Sequence, residues 1–354
     1  MKRPYFPQLD GFRAFAVGLV LLAHSAVEFT HVRWFELFDR YGSLGVKLFF
    51  VLSGYLITNI LLDTKDQPRF FVNFFSRRGL RIYPLYYAVL AVVAFSGIVH
   101  SHGVHWWVYI LYLSNLFYGH ATQPAPLGPT WSLAVEEQFY LVWPFVVWAL
   151  SRRNVVRLSI SLIVLVSIAR FVVPLPPHNT LFQLDALSAG ALLACRADWL
   201  ARWRPIAMGF VFLLPLGVVS TTAWIDNLSQ TVQMVASASL LILLLNGVEP
   251  VTAVFRNAFL QYVGRISYGI YLLHSFIFGA FLSTHIARNV IKSGSAWKAI
   301  LCMCVEYILV LGLATASFYL LERPFLRMKR FFSSGEEAAA PSRRDIEVAT
   351  PAGV

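Results

Sequence analysis

The chain has 354 residues, 58% of them hydrophobic and only 13% charged, with a formal net charge of +11. A soluble domain carries about 25% charged residues, so this composition excludes an ordinary soluble protein and indicates an all-α, polytopic membrane helix bundle. The basic residues are spread over many short loops rather than gathered on one element, which argues against a nucleic-acid partner and for lipid-facing topology.

Apolar stretches run at about 12–29, 44–62, 82–99, 132–150, 158–174, 181–195, 206–224, 230–246, 259–283 and 299–320. Each approaches the length a tilted helix needs to cross the hydrocarbon core. The segment 104–119 is rich in aromatic residues and barely long enough to cross. Read as re-entrant or interfacial, it leaves Arg77, Arg78, Arg81, Arg152, Arg153 and Arg157 on the same side as Lys2 and Arg3. The positive-inside rule then gives ten crossings with both termini cytoplasmic. On this reading residues 1–330 form one membrane domain in the cell (inner) membrane, and 331–354 form a disordered cytoplasmic tail.

The first stretch, Leu9 to His24, is interrupted by Asp10, Arg13 and His24. Ionisable groups inside a membrane are costly and commonly functional. Arg13 and His24 lie eleven residues apart, about 1100° on a helix, so they share one face roughly 16 Å apart. This places a guanidinium near the inner rim and an imidazole deep in the membrane. A neutral imidazole acts as a base near pH 7. Glu28, one turn beyond, either orients that ring or solvates the helix end.

Further along, Ser53-Gly54-Tyr55 sits mid-helix, where Ser-Gly pairs commonly serve packing. Ser53 and Tyr55 can also donate hydrogen bonds to a bound carbonyl. Arg78 and Arg81, at i and i+3, are read as a helix start whose guanidiniums face one point, and the planar fork of arginine suits phosphate oxygens. Glu136 and Glu137 are adjacent carboxylates in an apolar helix, pointing about 100° apart. They either serve a site, with Glu136 favoured, or form an ion pair with Lys47 or a histidine. Asp185 and His274 are membrane-level polar groups open to either a packing or a functional reading. Cys195, Cys302 and Cys304 have no metal or disulfide spacing, so no metal is expected.

Six motifs together resemble the membrane acyltransferase-3 family, the O-acyltransferases of bacterial surface polysaccharides, in a stand-alone form without an appended hydrolase-like domain. They are Leu9-Asp-Gly-Phe-Arg13 with His24, Gly45 to Ile57, Phe75 to Pro84, Thr130 to Tyr140, Gly264 to His274, and Leu321-Glu-Arg-Pro324. The resemblance implies acyl-coenzyme A, most simply acetyl-coenzyme A, as donor and a hydroxyl of an extracytoplasmic or lipid-linked glycan as acceptor. It implies polysaccharide-biosynthesis proteins as partners. It also implies His24, Arg13 and Glu136 as catalytic residues and Arg78 and Arg81 as donor-binding residues, to which the hydrogen-bonding reading of Ser53 and Tyr55 adds two more. The competing class is a proton-coupled transporter of a small molecule or glycolipid, since buried Arg, His and Glu also suit such a pathway. Inverted repeats with broken spans in matching halves, which mark many transporters, are not seen in the sequence.

Overall fold

The structure, a computed structural model, describes residues 6–27, 41–96, 104–117, 125–214 and 223–332. Every regular element among them is helical. Helix α1 is Pro7–Val27, α2 Tyr41–Thr64, α3 Phe70–Phe95, α4 Trp106–Ile110, α5 Thr130–Ala149 and α6 Arg152–Val172. They are followed by α7 Leu184–Cys195, α8 Ala197–Phe210, α9 Ala223–Leu245, α10 Val251–Phe255, α11 Ala258–Arg265 and α12 Ser267–Leu282. The last are α13 His285–Ser293, α14 Ala296–Ser317, a π-helical turn at Phe318–Glu322 and α15 Arg323–Arg327.

Five helical stretches among the described residues are long and apolar enough to cross a membrane: α2, α3, α6, most of α9, and the run Ala296–Phe332. A sixth appears if α11 and α12, bent by 73° at Ile266, count as one broken span. The chain is a multi-pass membrane protein. Helix α5 is not in that set, because Glu136, Glu137 and Gln138 lie in its middle and dilute its apolar character. The stretch 206–224 lies partly outside the described residues. Helix α8 ends at Phe210 in a turn to Leu213, and residues 215–222 lie outside the described set. The 104–117 segment contains only the five-residue α4, far short of the roughly 20 residues a crossing helix needs. Glu28 and residues 333–354 also lie outside the described residues.

Local chemistry sets the helix starts. The Ser151 side chain accepts from the Asn154 amide at the head of α6, and Asn257 accepts from Phe259 and Leu260 at the head of α11. Such caps satisfy amides that have no partner within the helix.

Packing depends on glycine at three motif positions. Helices α2 and α7 cross so closely that a Cβ on Gly54 would lie 1.9 Å from the Leu187 carbonyl oxygen, and one on Gly190 equally close to that of Val51. Helix α1 meets α10 in the same way through Gly11 against Phe255, and α11 through Gly264 against Asp10. In lipid, where no hydrophobic drive pushes helices together, such close backbone approach supplies the packing energy. Large apolar side chains stay outward on α6 and around the end of α14, with Leu165 62% and Leu320 80% exposed, as lipid-facing surfaces require.

A buried ionic triad ties three helices together. Asp185 on α7 sits 3.3 Å from the Lys47 amine on α2 and 2.6 Å from the Arg170 guanidinium on α6, with all three side chains at most 2% exposed. Arg170 also donates to the Phe182 carbonyl and to Thr231, 3.2 Å away. The expected alternative partner of Lys47, Glu136 or Glu137, is therefore replaced by Asp185. The reason is helix order: α7, not α5, carries a carboxylate at the level of Lys47.

Candidate active site

A cavity of about 100 Å³ opens between α1, α2, α3, α5 and α12. Arg13, Ser53, Arg78, Arg81 and Glu136 all line it, so five side chains from four separate motifs meet at one place. Along α2 the lining runs from Val46 to Ile57, eleven residues or about 16 Å of helix.

The arginines differ in how they are held. Arg13 donates to Asp10 at 2.7 Å, one turn back on α1, so its charge is already matched. Among the described residues neither Arg78 nor Arg81 has a carboxylate within 4 Å or a hydrogen bond to any acceptor. The Arg78 guanidinium instead lies over the Tyr140 ring, 5.5 Å from its centroid, a cation–π arrangement that leaves its in-plane N–H groups available. Both arginines stand eight and eleven residues past Phe70, well inside α3 rather than at its start. The helix begins early because Phe70, Phe71, Phe74 and Phe75 pack into the apolar core and carry it back toward the Pro68 break. The grip is thus roughly 12–17 Å along the helix, not at its rim.

Opposite the arginines, Ser53 donates to Glu136 at 2.5 Å and accepts from the Tyr140 hydroxyl at 3.1 Å. This fixes the carboxylate against the cavity wall. Glu137, 100° around α5, faces Tyr83 on α3 instead. Tyr55 is buried in the apolar core and is not among the cavity-lining residues.

His24 is not a lining residue either. It occupies the last turn of α1 and is exposed, rather than deep within the helix. Gly42, one turn before Val46, packs against Ala23, so His24 stands about one turn beyond the Val46 end of the cavity. Its Nδ1 lies 2.8 Å from the Val20 carbonyl. A carbonyl only accepts, so Nδ1 carries the hydrogen and Nε2 is the basic nitrogen. The fully buried His274 ring of α12 meets His24 edge to face at 4.8 Å and lies 5.9 Å from Tyr271, which does line the cavity.

Two participants escaped the sequence reading. Arg170 was hidden near the end of an apolar run with nothing local to mark it. Glu322, in the last motif, is turned toward the cavity side by a π-helical turn that no spacing rule anticipates.

Residues 6–322 match the acyltransferase 3 family model, described as an acyltransferase domain. The chain belongs to this family. Peptidoglycan O-acetyltransferase OatA of Listeria monocytogenes is 28% identical over 91% of this chain and 56% of its own length. O-acetyltransferase OatA of Staphylococcus aureus is 27% identical over 92% and 58%. The putative peptidoglycan O-acetyltransferase YrhL of Bacillus subtilis is 35% identical over 54% of this chain and 32% of its own. The chain therefore matches little more than half the length of the two OatA proteins and about a third of YrhL. No solved structure matches it.

Proposed function

We propose that this family member transfers an acyl group, most simply acetyl, from acyl-coenzyme A to a hydroxyl of a glycan on the other side of the membrane. The observation that carries this reading is the pair Arg78 and Arg81, half-buried around one cavity and, among the described residues, with no carboxylate within 4 Å. Drawing two neighbouring guanidiniums even partly out of water is costly unless a partner compensates them. A diphosphate supplies both the charge and the planar acceptor geometry that arginine matches. The names of the relatives, all O-acetyltransferases, support the reaction class.

The geometry supports a division of labour. With the phosphates at Arg78 and Arg81, the pantetheine arm follows the cavity past Ser53 and Glu136 toward Val46. Arg13 and His24, on one helix, are about 16 Å apart, of the order of that arm's length. At the far end the acceptor oxygen attacks the thioester carbonyl carbon while His24 Nε2 takes its proton. The carbon–sulfur bond then breaks, and the imidazolium returns the proton to sulfur, releasing coenzyme A as the thiol. General-base assistance of this kind contributes about 10²- to 10⁴-fold.

The test uses the full chain reconstituted with uniform orientation in vesicles, with labelled acetyl-coenzyme A given to one face at a time. Label should reach glycan only when the donor is on the face bearing the chain termini. A requirement for donor on the opposite face, or the absence of coenzyme A-dependent turnover, overturns the reading.

A further inference from the structure

We propose that Glu322 is a stand-off counter-ion for Arg81: it offsets the charge of that half-buried guanidinium while leaving its donors open for the donor's diphosphate. This deepens the coenzyme A reading above and rests on it.

The case begins with an imbalance. Arg81 faces two like charges, Arg13 and Arg78, and two opposite ones, Glu322 and Asp10. Asp10 is bonded to Arg13. Glu322, 5% exposed, is the carboxylate of the last motif, and Arg81 is the cation that acts on it electrostatically. Yet the two are not within ion-pair distance, because no carboxylate lies within 4 Å of Arg81 among the described residues. Attraction without contact needs something to hold the carboxylate back.

Two features do so. Ser317 donates to Glu322 Oε1 at 3.3 Å. In an α-helix, residues five apart point about 140° away from each other. The π-helical turn at Phe318–Glu322 closes i to i+5 and brings them together. On the other side, Gly269 of α12 makes room: a Cβ there would lie 3.2 Å from Glu322 Oε1. The neighbouring Tyr268 lines the cavity and donates to the Ile82 carbonyl at 2.7 Å, beside Arg81 on α3. The carboxylate is thus seated between α12 and α14, beside the stretch of α3 that carries Arg81 and outside ion-pair distance of it.

This arrangement has a signature that a merely structural glutamate lacks. With Glu322 neutralised, the charge of Arg81 is less offset and gains more from the donor's phosphate, so Glu322→Gln should bind coenzyme A about three- to tenfold more tightly, as expected for one charge acting over several ångströms at partial screening. Ser317→Ala, which releases the carboxylate to swing onto Arg81 and occupy its donors, should bind it more weakly. On an Arg81→Ala background Glu322→Gln should change nothing further. The experiment is titration of coenzyme A itself into the full chain in lipid nanodiscs, read by displacement of labelled acetyl-coenzyme A.

Opposite shifts for Glu322→Gln and Ser317→Ala support the proposal. Unchanged or weaker binding by Glu322→Gln, or an equal effect with and without Arg81, overturns it. Should Glu322→Gln not fold, Ser317→Ala decides alone: weakened binding supports the tether, and unaltered binding refutes it. If the parent protein does not bind coenzyme A at all, the donor reading has failed, and this inference falls with it. If the parent binds and Glu322→Gln matches it, only the counter-ion role is lost.

Discussion

The rings of His24 and His274 meet edge to face at 4.8 Å, joining the end of α1 to the middle of α12. His274 is fully buried and its Nδ1 lies 2.6 Å from the Tyr271 carbonyl, so its orientation is fixed by α12 itself. His24 is therefore a partly open imidazole backed by a rigid one. Because His24 stands beyond the cavity, its loss should separate chemistry from donor binding. His24→Ala should lower acyl transfer by about 10²- to 10⁴-fold while coenzyme A titrates as in the parent. A parallel loss of both would place His24 inside the donor site and contradict this geometry.

Arg78 and Arg81 are expected to behave in the reverse sense. A hydrogen bond to a charged group contributes about 1.5–3 kcal/mol, so Arg78→Ala or Arg81→Ala should raise KM for acyl-coenzyme A roughly ten- to hundredfold. Arg78→Lys should recover little, because lysine lacks the planar fork and the seating over Tyr140. Steady-state kinetics with varied donor checks this, and an unchanged KM in all three variants would refute the phosphate grip.

The α2–α7 crossing predicts an effect on folding rather than chemistry. Gly54→Ala would place a carbon 1.9 Å from the Leu187 carbonyl oxygen, a backbone atom that cannot step aside. The helices must separate, and Ser53, next in the chain, moves away from Glu136 with them. The variant should unfold at lower temperature and lose its site. Gly18→Ala, where a Cβ meets nothing within 4 Å, is the matched control and should melt with the parent.

Asp185 compensates two buried cations at once. Asp185→Asn leaves Lys47 and Arg170 facing each other unneutralised, and breaking a buried pair from one side costs about 3–5 kcal/mol. Thermal unfolding in detergent should show a large loss. Lys47→Met combined with Asp185→Asn, which leaves Arg170 as the single cation, should recover part of it. If the double variant is no better than Asp185→Asn, the triad is not the source of the effect.

Much of the candidate site was legible from residue spacing. Arg13 and His24 share a helix face because helical pitch is fixed, and Ser53, Arg78, Arg81 and Glu136 stood out because polar groups in apolar helices are expensive. Positions along the helices were less legible. Arg78 and Arg81 read as a loop-side helix start, yet the phenylalanines before them lengthen α3 and draw both inward. His24 stands in the last turn of α1, a position set by the helix start at Pro7.

The sequence by itself determined the helical class, the membrane setting and which polar residues needed an explanation, since hydropathy and periodicity are local properties of one chain segment. Only the tertiary structure decided the pairings: Lys47 with Asp185 rather than with a glutamate of α5, Glu136 with Ser53, and Glu322 with Ser317. Those choices depend on which helix lies beside which and on the rotation of each about its axis. Such angles are set by close glycine contacts and a single π turn, which act between segments far apart in the chain.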